Sequence, residues 1–184
     1  MKTITLVAVS ALTLALCGSA AAAVTVVGDT SANDCSKAAF AGLANNETLE
    51  TCNSALQMGE LDRRDEAGTY VNRGVLYMLL QNYGAARSDF EEATHVEPKL
   101  GESWVNLGAV EIGEKRYQAG VTDIDKALAL GIEEPAKAYY NRAIAYEGMD
   151  DEKSAYLDYQ QAVTLAPNWN LPKQELLRFT VTRR

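Results

Sequence analysis

A chain of 184 residues with 25 acidic against 17 basic side chains carries a formal charge of −8, which makes it a poor partner for nucleic acid or anionic lipid. Its single histidine, His95, excludes a histidine-based triad and any multi-histidine metal site. The chain opens with Met1 and Lys2, runs apolar from Ile4 to Leu16, and closes that segment with Gly18, Ser19 and four alanines, Ala20 to Ala23. This is the layout of a secretory signal covering 1–23, with the small residues Ala21 and Ala23 framing a peptidase site before Val24. The apolar run falls short of the roughly 20 residues that a spanning helix requires. Cys17 offers a rival, acylated lipoprotein reading, but Leu16 stands before it where a small residue is wanted. The expectation is an exported protein, periplasmic first, with secreted or lipid-anchored forms as alternatives.

Residues 24–32, "VTVVGDTSA", read as a mobile leader, and 33–66 as a helical hairpin. Cys35 and Cys52 flank Asn45-Asn46, so two helices folding back there bring the cysteines level. In an oxidising compartment such a pair is expected to be bonded, closing a loop worth roughly 3 kcal/mol in the chain-entropy model.

Three short stretches then echo one another: "YVNRG" from Tyr70, "WVNLG" from Trp104 and "YYNRA" from Tyr139, separated by 34 and 35 residues. A period of 34 marks a helix-turn-helix repeat. Residues 67–100 carry Tyr70, Gly74, Tyr77, Ala86, Phe90, Ala93 and Pro98; residues 101–134 carry Trp104, Leu107, Gly108, Tyr117, Ile124 and Ala127, with Gly120 in place of an alanine. Residues 135–169 carry Tyr139, Ala143, Tyr146, Ala155, Tyr159, Ala162 and Pro167. On these positions the chain resembles the tetratricopeptide repeat (TPR) family. The resemblance implies an all-α, right-handed α-α superhelix: a solenoid of three repeats, preceded by the disulfide-stapled hairpin and followed by a capping helix and tail over 170–184.

Packing explains the residue types. Gly74, Gly108 and Ala143 stand where one helix crosses its partner, and the large residues Tyr70, Trp104, Tyr139, Phe90, Ile124 and Tyr159 fill the space between neighbouring repeats. Pro98 and Pro167 stop second helices, while Asn82 and Asp150 or Asp151 are candidate caps.

In the family the first helix of each repeat lines the concave wall. The resemblance puts Val71, Asn72 and Val75 there, then Val105, Asn106 and Ala109, then Lys137, Tyr140, Asn141 and Ile144. Asparagine is a mediocre helix former, so three at one register ask for a reason. Either their amides grip the main chain of an extended peptide, as an asparagine ladder does in some TPR proteins, or they tie adjacent helices together; the sequence leaves both open. The family's carboxylate clamp is not expected: Lys137 fits one of its places, but Val71, Val75, Glu102 and Asn141 stand at others where it uses cations. Arg73 and Arg142 follow the asparagines and are expected to pack their stems between helices, heads at the edge.

No phosphate loop, nucleophile elbow, dinucleotide fingerprint or calcium loop is present in the sequence. The expected function is a non-catalytic adaptor without cofactor or metal, holding a protein or peptide partner in the concave groove. The alternative is an assembly or self-association subunit of an envelope complex that acts through its outer faces.

Overall fold

Amphipathic segments of 12 to 17 residues, separated by turns of three or four, fold in sequence order into paired antiparallel helices. A computed structural model of the chain describes residues 4–8, 21–27, 30–58 and 60–183, the side chains of 4–8 and 180–183 excepted. Its elements are β1 (Ile4–Ala8), α1 (Thr30–Ala41), α2 (Asn46–Met58), α3 (Arg63–Leu79), α4 (Tyr83–Val96), α5 (Gly101–Gly113), α6 (Tyr117–Leu130), α7 (Pro135–Gly148), α8 (Glu152–Leu165), α9 (Asn170–Leu176) and β2 (Phe179–Arg183). The pairs α3–α4, α5–α6 and α7–α8 are the three repeats, and each packs chiefly on the next. The hairpin α1–α2 covers the free side of α3, and α9 covers α8.

Local chemistry sets the helix ends. Asp62, Asn82 and Asp151 accept bonds from the backbone N–H groups of Asp65, Ala85 and Ser154, each satisfying a donor that the first helical turn leaves open. Before α2, Asn45 and Thr48 cap each other reciprocally, at 2.9 and 3.0 Å. Between the two helices of each repeat the chain takes a left-handed residue at one register: Gln81 (φ 60°), Lys115 (φ 63°) and Asp150 (φ 59°).

Repeat geometry is fixed by what is missing from the crossing points. A Cβ on Gly74 would stand 2.5 Å from the Phe90 ring, and one on Gly108 2.9 Å from the Gly120 carbonyl, so both helix pairs close to a distance that only glycine permits. Phe90, Ile124 and Tyr159 are fully or almost fully buried at one register. Tyr70, Trp104 and Tyr139 are also equivalent, each half-buried beneath a cation: Arg73 at 5.5 Å, Lys126 at 3.2 Å and Arg142 at 5.2 Å from the ring centres.

Those arginines do more than cover rings. Arg73 binds Asp89 through Nε and Nη2 at 2.9 and 2.6 Å, and Arg142 binds Asp158 through the same atoms at 2.7 and 2.9 Å. The stems lie between helices with the heads paired across each hairpin, as expected for residues placed just after the asparagines. The middle repeat keeps the acid and lacks the base: Leu107 stands at the arginine register, leaving Asp123 without that pair. Burial, reinforced by the Glu111 charge, pushes the Asp123 carboxyl up to about 6. Between its ordinary value of 3.8 and about 6 the folded chain retains a proton that the unfolded chain has released. Stability therefore falls as pH rises through that window, and the cost is complete above it. Asp123→Asn should raise stability by on the order of 1 kcal/mol at pH 7 and change nothing below pH ~4, a contrast that urea titrations at the two pH values would read.

Two features depart from the sequence reading. The tail is not a helix followed by loose charge: after the seven-residue α9, Phe179–Arg183 forms β2, antiparallel to β1 with Ile4 opposite Arg183 and Ala8 opposite Phe179. A β-branched, alternating "FTVTR" is strand chemistry, which the capping reading of 170–184 overlooked. The stretch 24–32 is likewise no free leader, because α1 already begins at Thr30 and Val24 and Val26 are buried. Of the segment read as a signal, residues 1–3 and 9–20, Cys17 with them, lie outside the described residues.

Candidate peptide groove

The site is built from α3, α5 and α7, whose inner faces carry Asn72, Asn106 and Asn141 at one register. All three are buried, at 0%, 0% and 1% exposure. Over Asn72 and Asn106 the cover is the chain's own Ala21–Val27, which crosses the wall.

Its backbone is held rung by rung. Asn72 accepts from the Val24 N–H through Oδ1 and donates to the Val24 carbonyl through Nδ2, both at 2.8 Å. Asn106 does the same for Ala22, accepting at 2.9 Å and donating at 2.8 Å. In an extended chain the N–H and C=O of one residue point to the same side, and residues two apart present the same edge. Each asparagine thus behaves as one residue of a neighbouring β-strand. Because the bonded residues are two apart, the repeat advances along the peptide by about 6.6 Å per rung. The direction is opposed to the order of the repeats: Ala21 lies toward α7, where its carbonyl accepts from Lys137 Nζ at 3.0 Å, and Val24 lies on α3.

Side chains follow the same alternation. Ala22, Val24 and Val26 face the wall and are 3%, 4% and 2% exposed, while Thr25 and Val27 point outward. Val24 packs in the cluster that holds Val71 and Val75, and Ala22 in the one that holds Val105. Gly68 makes room for this arrangement, since a Cβ there would stand 2.9 Å from Val26 Cγ2 and 3.0 Å from Val24 Cγ1. The N-terminal hairpin contributes Ser36, whose hydroxyl donates to the Val24 carbonyl at 2.8 Å. Asp65 receives the Val27 N–H at 3.4 Å.

Of the residues placed on this wall from the sequence, Asn72, Asn106 and Lys137 touch the extended segment directly, and Val71, Val75 and Val105 share its clusters. Ala109 is buried and Ile144 half-buried. Tyr140 serves the core instead: it packs on Tyr159 and Trp169, with ring centres 5.6 and 4.9 Å apart, between the third repeat and the cap. Ser36, Asp65 and Gly68 were not picked out from the sequence, and only Gly68 leaves a trace there, as a glycine in mid-helix. The cysteines are joined as expected, Cys35 to Cys52 with Cα atoms 4.9 Å apart, tying α1 to α2 beneath Ser36. Among the described residues no group of histidine, cysteine, aspartate and glutamate side chains is placed to hold a metal ion, and no helix is long and apolar enough to cross a membrane.

Comparison with known proteins agrees with this architecture. A sequence-family model of the tetratricopeptide repeat matches residues 67–100 and 136–168. A tetratricopeptide repeat protein 36 homolog of Drosophila pseudoobscura pseudoobscura is 40% identical over 67 residues, covering 36% of this chain; that stretch is 34% of the relative, so the chain spans about a third of its length. Among solved structures, MamA aligns over 82% of both chains at 18% identity with a TM-score of 0.62. The Arabidopsis OM64 TPR domain aligns over 63% of this chain and 95% of its own at 21% identity, TM-score 0.59. The first TPR of Spaghetti (RPAP3), bound to the HSP90 peptide SRMEEVD, aligns over 62% and 90% at 22% identity, TM-score 0.57. The intervening repeat, residues 101–134, departs most from the signature at Gly120, where its two helices close backbone to side chain against Ile112. Residues 67–100 and 136–168 match the tetratricopeptide repeat, and the helices around them complete an all-α solenoid with the fold of these TPR structures.

Proposed function

We propose that this chain is an exported, non-catalytic binding module that holds an extended polypeptide along its inner wall by the main chain. The observation that carries the reading is the pair of two-point contacts from Asn72 and Asn106 to alternate residues of Ala21–Val27. Main-chain recognition of this kind tolerates many sequences, and selection falls to the inward positions, which hold a small residue and then two β-branched ones. The RPAP3 repeat domain, a structural neighbour, was solved with a peptide bound, which is consistent with a binding role for the fold. Export is supported by the three-part arrangement of residues 1–23, and a buried disulfide suits a compartment outside the reducing cytosol. A periplasmic location fits both.

The test is an affinity capture from the source envelope with the unmodified chain and with the Asn72→Ala, Asn106→Ala double variant, both checked for helix content by circular dichroism. The double variant should retain less than a tenth of each partner identified by mass. An unchanged set of partners on a folded variant would move the function to the outer faces, as in an assembly subunit.

A further inference from the structure

The start of β2 is anchored to the third repeat, while its partner strand belongs to a segment that export removes. The register from Ile4–Arg183 to Ala8–Phe179 seats β1 along β2, and β1 lies within the stretch 1–23 that has the layout of a signal. We propose that loss of the signal uncovers β2 as an edge strand, and that β2 of a second copy of this chain takes the place of β1 to form a two-fold dimer. This rests on the export reading given above and not on occupancy of the groove.

The anchor does not depend on β1. Phe179 is buried, its ring centre 5.6 Å from that of Tyr156 and 6.1 Å from that of Tyr159 on α8. One residue earlier, Arg178 donates through Nη2 to both carboxylate oxygens of Glu147 on α7, at 2.6 and 2.8 Å. The strand therefore leaves the third repeat at a fixed point whatever lies beside it. Hydrolysis of the Ala23–Val24 bond adds one water, leaves a carboxylate on Ala23 and an ammonium on Val24, and cuts the one covalent tie between β1 and the repeats. The edge of β2 that β1 had paired then presents open N–H and C=O groups, which another strand can satisfy.

The sequence of β2 fits a second copy of itself. Two antiparallel β2 strands centred on Val181 place Val181 opposite Val181, Thr180 opposite Thr182 twice, and Phe179 opposite Arg183 twice. All five residues are paired, as they are with β1. The chemistry of the precursor pairing is kept at two central places, where Leu6 stands opposite Val181 and Thr5 opposite Thr182. Threonine across from threonine and one β-branched residue across from another are favoured pairs between strands. Because the two-fold axis passes through Val181, each copy offers the same surface to the other and the contact closes at two. A ladder of five residues is marginal by itself. Leu177, 87% exposed directly before Arg178, leaves further apolar surface beside the strand for the second copy to cover.

The experiment compares sedimentation equilibrium of the processed chain, recovered after export and with its first residue identified by mass, with that of the full chain held uncleaved by Ala23→Pro. The processed chain should pass from monomer to dimer between about 1 and 200 μM, and the uncleaved chain should associate at least tenfold more weakly. Register is read by oxidative cross-linking of single cysteines. Across the two-fold axis, two copies of Val181→Cys have Cα atoms about 4.5–5.5 Å apart, within disulfide reach, whereas two copies of Thr182→Cys stand about 7–8 Å apart, beyond it. Val181→Cys should therefore cross-link at least tenfold faster than Thr182→Cys, and only in the processed chain. A processed chain that stays monomeric, an uncleaved chain that dimerises as tightly, or equal cross-linking at the two positions would each overturn the inference. A dimer abolished by Asn72→Ala with Asn106→Ala in a folded chain would place the contact in the groove and overturn it too. A recovered chain that still carries residues 4–8 would remove the export reading, and this inference with it.

Discussion

Arg142→Met should lower the unfolding free energy by about 2–3 kcal/mol, measured as a shift of the urea midpoint without a change in slope. The guanidinium sits between α7 and α8 with 18% of its side chain exposed, gripping Asp158 through two bonds and Asp125 through a third. Its hydrogen bonds to Asp158, ahead of the opposing cost of burial, hold its pKa above the ordinary arginine value. Methionine keeps the stem's apolar contacts over Tyr139 and removes the charge, so the loss reports the carboxylate left behind: Asp158, only 7% exposed, loses both of its bonds to the guanidinium. The double variant Arg142→Met, Asp158→Leu should recover most of the loss, since desolvating a pair costs nearly what the pair returns. By contrast Arg87→Met, which breaks contacts to Glu111 and the more exposed Glu114 between the first two repeats, should cost under ~1 kcal/mol because water can replace much of what is lost.

The Arg–Asp pairs also show what a sequence of this type exposes and what it hides. Repetition made them visible in principle: an arginine directly after the aromatic-x-asparagine step, an aspartate 16 residues on, present in the first and third repeats and broken by Leu107 in the second. The same repetition fixed the helix pairs, the glycine crossings and the inward-facing asparagines, because each of those depends on contacts inside one 34-residue unit. What the sequence hid are contacts of another kind. Ala22 and Asn106 are 84 residues apart, and Val24 and Asn72 are 48 apart. No period links them, and "AAAVTVV" ahead of a helix reads equally as a cleavage site and a loose leader. Its alternation of inward and outward residues became meaningful only against a wall that supplies one amide for every second residue. The left-handed residues Gln81, Lys115 and Asp150 were hidden for a related reason: glycine is the usual marker of such a backbone, and here three ordinary side chains adopt it where the tight turn between packed helices leaves no other path.

Removing the disulfide, as Cys35→Ser with Cys52→Ser, should cost about 3 kcal/mol of stability and should weaken the hold on the leader before it unfolds the repeats. The bridge closes a separation of 17 residues, and the chain-entropy model assigns a loop of that size roughly this amount. The location argues that the loss is felt first at the N-terminal end. Helix α1 buries mostly alanines, Ala32, Ala38 and Ala39, with the cysteine itself, and α2 buries only Cys52 and Ala55, so the hairpin has few large side chains to hold it once the bond is gone. Repeat units exchange stabilising contacts with their neighbours alone, and an end unit that frays leaves the inner ones standing. Ser36 travels with α1, and with it goes one of the two donors to the Val24 carbonyl. Hydrogen exchange on the reduced or substituted chain should therefore show fast amides through α1 and α2 and at Val24, with protection retained in α5 to α8. Loss of protection spread evenly over all helices would mean instead that hairpin and repeats fold as one unit, and that the staple stabilises the whole array.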